Sequence, residues 1–148
     1  MFEDLNDLYQ QVILDHSKSP RNFRKLDDAN HTAQGHNPIC GDNVTIYVRT
    51  EGDVVKDISF LGSGCAISKA SASILTETLK GKTKAEVKSL FDRVHEMVKT
   101  GKGDMDQVGK LAVFAGVHKF PARVKCAILP WHAVMAAVED APKPVSTE

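Results

Sequence analysis

Neither sign of charge predominates in this sequence. Nineteen lysines and arginines face nineteen aspartates and glutamates, so no long-range field draws the chain to nucleic acid or to an anionic membrane surface. Partners must then be chosen by local patches. No apolar run approaches the roughly 18 to 20 residues that a membrane-spanning helix needs. The first ten residues carry Glu3, Asp4 and Asp7 in place of the basic, apolar start of a secretory signal. These absences lead us to expect a cytoplasmic protein with no nucleic-acid and no membrane partner. Cysteine is scarce as well: there are three, Cys40, Cys65 and Cys126, and no C-x-x-C knuckle. An odd number cannot all pair in disulfides, and in a reducing compartment such a set reads as free thiols or metal ligands.

What is present is enough apolar residue, 42% over 148 positions, to bury one core, and we expect a single domain over 1–148 with a frayed tail at about 141–148. Leu5, Leu8, Tyr9, Val12 and Ile13 recur at helical spacing until Ser19-Pro20, predicting an amphipathic first helix. Val44, Ile46 and Val48 alternate with polar residues, and after Glu51-Gly52-Asp53 the run Val54 to Leu61 returns, which predicts an antiparallel hairpin. A third short strand is expected before Cys40. Ile67, Ile74, Leu75 and Leu79 then form a helical stripe that stops at Gly81, so Cys65 falls at a helix N-terminus. Helices are expected over 83 to about 99, over about 104 to 118, and from Pro121 to before Pro142. Pro130 either kinks the last of these beside Cys126 or begins it, leaving Cys126 on a preceding turn. The fold class is α+β: a small three-stranded antiparallel sheet packed by about five helices, with the chemistry at one end where loops and helix termini meet.

Cys40-Gly41-Asp42 sets a thiol and a carboxylate two residues apart around a glycine, whose backbone freedom lets both face one point. Cys65 opens a helix, where unpaired amides favour the thiolate. Cys126 follows Arg123 and Lys125, and cationic neighbours favour a thiolate there too. Three sulfurs and a carboxylate make a closed tetrahedral zinc site, and three cysteines with a labile fourth ligand also suit an iron-sulfur cluster. The competing reading is three buried structural cysteines, since free cysteine packs as a small hydrophobe.

The stretches Asn-Pro-Ile-Cys40-Gly-Asp42, Gly-Ser-Gly-Cys65-Ala-Ile-Ser-Lys-Ala-Ser-Ala-Ser73 and Phe-Pro-Ala-Arg123-Val-Lys125-Cys126-Ala-Ile-Leu resemble the NifU-like scaffold family. Leu-Tyr-Gln-Gln-Val-Ile-Leu-Asp-His16 and Pro20-Arg-Asn22 are also similar, so the likeness covers about residues 5 to 140. Within that family the chain looks closer to the SufU branch than to IscU. Lys125 stands where IscU proteins carry a histidine, and the interval from Cys65 to Cys126 holds an inserted segment near 88–118. The resemblance implies a zinc-containing sulfur-transfer protein of iron-sulfur cluster assembly. Cys40 would accept persulfide sulfur from a PLP-dependent, SufS-like cysteine desulfurase, and Asp42, Cys65 and Cys126 would hold zinc with Cys40. SufBCD-like assembly proteins would lie downstream. The IscU alternative implies a scaffold on which Cys40, Cys65 and Cys126 hold a transient iron-sulfur cluster or iron. Arg123 matches a basic position of SufU-like chains and would orient Asp42 or steer the partner; Pro130 departs from the family's usual residue.

Other polar residues read as ordinary. The six histidines are scattered and are expected at the surface or in caps, because ligation needs clustered partners. Ser68, Ser71 and Ser73 have no histidine near them in sequence, and their small size suits close helix packing. Trp131 lies on an apolar stripe and is expected in the core. A hydrolytic zinc site, with Asp42 displaced by water, lacks an identifiable general base.

Overall fold

The structure, a computed structural model, describes residues 2–38, 41–102, 109–139 and 145–146. In chain order the elements are α1 (Phe2–Lys18), β1 (His31–Asn37), β2 (Asp42–Glu51), β3 (Val54–Ser63), α2 (Ala66–Leu79), α3 (Lys84–Thr100), a 3₁₀ segment (Gly109–Lys119), α4 (Pro121–Val138) and β4 (Val145–Ser146). The sheet order is β3-β2-β1-β4. β1, β2 and β3 form the expected antiparallel three-stranded unit. β4 adds two residues in parallel register, Val145 opposite Gly35 and Ser146 opposite His36. That part of the expected frayed tail is therefore paired; 140–144 and 147–148 lie outside the described residues.

Alternation along the strands fixes the inner face. Ala33, Gly35 and Asn37 are buried in β1 while Thr32, Gln34 and His36 are exposed. In β2 the buried set is Asp42, Val44, Ile46, Val48 and Thr50. Both series follow from the two-residue period of a strand. Both series also reach, at the same end of the sheet, a polar residue pointing inward: Asn37 and Asp42 are cross-strand partners.

α4 covers that inner face. Six consecutive residues, Cys126 to Trp131, are buried, the pattern of a helix surrounded on all sides. Trp131, fully buried, anchors the core with Phe60, Ile46, Ile58 and Phe114. The helix runs unbroken through Pro130, so Cys126 lies inside α4 and not on a preceding turn. α2 packs beside α4, and Ser71 Oγ donates to the Ala127 carbonyl at 2.6 Å, one residue past Cys126. α3 begins with a capping box between Thr83 and Glu86 and ends at Gly101, as a helix with matched start and stop signals does.

The helix expected over 104 to 118 takes another form. Residues 103–108 lie outside the described residues, and Gly109–Lys119 winds as 3₁₀ turns. Leu111, Phe114 and Val117 are its most buried side chains. Their spacing of three matches a helix with three residues per turn, in which positions i and i+3 eclipse. Among the described residues, no helix is long and apolar enough to cross a membrane.

Candidate metal site

Three elements deliver donors to one end of the sheet. β2 supplies Asp42, its first residue and the start of its inward-facing series. α2 supplies Cys65 as its N-cap. α4 supplies Cys126 from its second turn. One carboxylate oxygen of Asp42 and the sulfurs of Cys65 and Cys126 all lie within 4.8 Å of one another, close to the spread that one ion bound at about 2.0–2.3 Å imposes. Asp42 and Cys126 are buried and Cys65 is half-buried, so the cluster is open on the Cys65 side.

Local geometry shows why these residues converge. Gly41 sits at φ 71°, a left-handed conformation that glycine adopts without cost, and turns the chain into β2 immediately before Asp42. Gly64, at φ 147°, lies so close that a Cβ there would collide with the Asp42 carboxylate. Its lack of a side chain lets the β3–α2 turn close over Asp42. The Cys65 N–H then donates to Asp42 Oδ1 at 2.7 Å, while Asp42 Oδ2 lies 3.8 Å from Cys65 Sγ. Cys65 Sγ accepts from the Ser68 N–H at 3.5 Å, the usual bond of an N-cap side chain. Cys126 Sγ accepts from Asn37 Nδ2 at 3.8 Å.

A buried carboxylate beside two buried or half-buried sulfurs is the donor set of a cation site. Ionised together and with no cation, three such groups would repel one another in a medium of low dielectric. Zinc answers both the thiolate and the carboxylate donors and takes four ligands. Cys40 lies outside the described residues; in sequence it directly precedes Gly41.

The remaining expectations fare unequally. Arg123 stands exposed on the first turn of α4 with its guanidinium 5.4 Å from the Phe120 ring centroid, a cation–π contact. It does not sit on Asp42, whose two oxygens both meet Cys65. His16 is not a surface residue: it is buried, and its Nδ1 lies 2.7 Å from Ser73 Oγ. The serine run thus has a histidine beside it in space, from 57 positions away in sequence. With the pair sealed from solvent, it serves packing. His95 and His132 also meet, with ring centroids 5.9 Å apart and Phe91 against both. Burial holds both imidazoles below their usual pKa; Lys99 adds to the effect at His95, and His95 adds to it at His132. Asn37 was missed altogether, although its place in phase with Ala33 and Gly35 marked it as inward-facing.

Residues 8–127 match the NifU-like N terminal domain family. The chain belongs to that family. Among relatives of this NifU-like chain, the "Zinc-dependent sulfurtransferase SufU" of Bacillus subtilis (strain 168) is 42% identical over 137 residues, covering 91% of this chain and 92% of the relative. The "Iron-sulfur cluster assembly scaffold protein IscU" of Streptococcus pyogenes serotype M1 is 40% identical over 136 residues, covering 91% and 85%. The crystal structure of FiSufU from Fervidobacterium islandicum AW-1 superposes with a TM-score of 0.82 at 36% identity, covering 86% of this chain and 94% of that one. The α+β fold of this NifU-like chain is thus shared with solved structures.

Proposed function

We propose that this protein is a zinc-dependent acceptor and carrier of persulfide sulfur in iron-sulfur cluster assembly. The observation that carries the reading is the convergence of Asp42, Cys65 and Cys126 in a family that includes a zinc-dependent sulfurtransferase. Asp42, Cys65 and Cys126 hold the ion, with Cys40 as fourth ligand. When bound, zinc keeps the thiols deprotonated and shields them from oxidation.

The donor is a PLP-dependent, SufS-like cysteine desulfurase, and the sulfur passes on to SufBCD-like assembly proteins in the cytoplasm. Cys40 reacts as a thiolate with the terminal sulfur of the desulfurase's cysteine persulfide. A new sulfur–sulfur bond forms at Cys40, the old one breaks, and the desulfurase cysteine leaves as a thiolate. The rate depends on how much free Cys40 thiolate is present, so coordination suppresses the transfer until docking releases it. Asp42, Cys65 and Cys126 stay behind as the anchored part of the site, each fixed by a different element. Arg123, exposed near Cys126, steers an acidic partner surface.

Turnover of a purified cognate desulfurase, with and without the zinc-loaded protein, tests the reading. A large rise that disappears in Cys40→Ala supports it. No rise despite demonstrated binding overturns it. A second reading, a platform for a [2Fe-2S] cluster, draws on the same donors and on the scaffold-named relative. If Asp42 aids release there, Asp42→Ala lengthens the life of the cluster.

A further inference from the structure

We propose that Asn37 is a positioning residue for the Cys126 thiolate: its amide holds the sulfur by an N–H···S bond. This rests on the metal-site reading above. Asn37 occupies the last inward position of β1, after Ala33 and Gly35, and is fully buried. A carboxamide at such a place costs stability unless its polar atoms find partners. Asn37 Nδ2 points to Cys126 Sγ, 3.8 Å away and 89 residues distant in sequence.

The two cysteines obtain their donors differently. Cys65 is a helix N-cap, so the free Ser68 amide reaches its sulfur at 3.5 Å. Cys126 lies in the second turn of α4, where the helix's own N–H groups are engaged in the ladder, and the Asn37 side chain supplies a donor. A metal-bound cysteine is deprotonated and only accepts, so the NH₂ end of Asn37 must face it. The bond fixes the orientation of the sulfur, and the electron density it draws off makes that sulfur a poorer nucleophile. Asn37 is also the strand partner of Asp42. One residue thus touches Cys126 through its side chain and is the strand partner of Asp42. It keeps Cys126 in position beside Asp42.

The test replaces zinc with cobalt(II) in the purified protein and follows the sulfur-to-cobalt charge-transfer bands and the rate of metal loss to a chelator. In Asn37→Ala we expect the bands at longer wavelength and metal loss faster by about tenfold or more, the usual scale for an outer partner of a ligand. Asn37→Asp keeps the shape and removes the donor, so it should release metal at least as fast as Asn37→Ala. Bands and release rates equal to the parent's would overturn the proposal. An Asn37→Asp protein equal to the parent, with Asn37→Ala alone impaired, would overturn it in favour of shape. Should Asn37→Asp fail to fold, an unshifted spectrum in Asn37→Ala decides against the proposal. A parent protein that shows no sulfur-to-cobalt bands refutes the metal-site reading itself and takes this inference with it.

Discussion

Two buried polar clusters lie along α2, and they are built on opposite plans. Around Ser73 every group meets its neighbour closely. Ser73 Oγ accepts from the Arg21 N–H at 2.9 Å and shares a hydrogen bond with His16 Nδ1 at 2.7 Å, and His16 Nε2 faces Glu77 at 3.6 Å. Asn22 Nδ2 donates to Thr76 Oγ1 at 3.1 Å, and Thr76 Oγ1 donates to the Ser73 carbonyl at 2.7 Å. The Asn22 carbonyl also takes the Phe60 N–H of β3 at 3.0 Å. At the N-terminal end of the same helix two sulfurs and a carboxylate converge: the Cys65 N–H meets Asp42 Oδ1 at 2.7 Å, and the donors to the two sulfurs stand off at 3.5 and 3.8 Å. A network that closes on itself staples α1 to α2. Two sulfurs and a carboxylate whose ligand atoms all lie within 4.8 Å of one another form a donor set that one ion can bridge.

Substitutions in the two clusters should therefore fail in different ways. Cys126→Ala has the largest effect, lowering zinc from one equivalent per chain to background by elemental analysis of purified protein. Zinc retained at one equivalent would make the two clusters alike. His16→Ala comes next: it removes a fully buried side chain and strands Ser73, costing about 2–4 kcal/mol in denaturant unfolding with zinc content unchanged. Ser73→Ala, which leaves His16 and the Arg21 amide short of a partner, should cost about 1–3 kcal/mol, again with zinc retained. A loss of zinc in either variant would show that the staple and the site are one unit.

The α3–α4 imidazole pair gives the smallest effect and tests an intermediate case, half-buried imidazoles for which burial outweighs the charged neighbours Asp92, Glu96 and Lys99. Because the folded-state pKa values of His95 and His132 are lowered, the unfolded chain binds protons first as pH falls. Their contribution to stability is intact above the unfolded histidine value of about 6.5. It is lost as pH drops below that toward the folded values. His132→Phe should flatten the fall of Tm with acidification in that window and leave Tm above pH 7 nearly unchanged. An unaltered slope would mean that the pair does not sense protons.

Which parts of this were legible in the sequence follows from the range of each signal. Strand alternation is local, and carried back two residues from Val44 it places Asp42 on the inner face. Cys65 as a helix opener was legible from Gly-Ser-Gly before an apolar stripe, and the Thr83-x-x-Glu86 start of α3 bears its capping signature. The 3₁₀ segment was not, because over so short a stretch Leu111, Phe114 and Val117 fit a period of 3.6 as well as one of 3. Contacts between distant positions, such as His16 with Ser73 and Asn37 with Cys126, leave no trace in local pattern. Family resemblance supplied the ligand set; geometry supplied the convergence of three of its four members.

The most direct test is to map the sulfur itself. The zinc-loaded protein is incubated with desulfurase and cysteine for a single turnover, trapped by alkylation and digested for mass spectrometry. The account predicts one added sulfur atom on the peptide bearing Cys40 and none on those bearing Cys65 or Cys126. Sulfur found on Cys65 or Cys126 with Cys40 unmodified would contradict it.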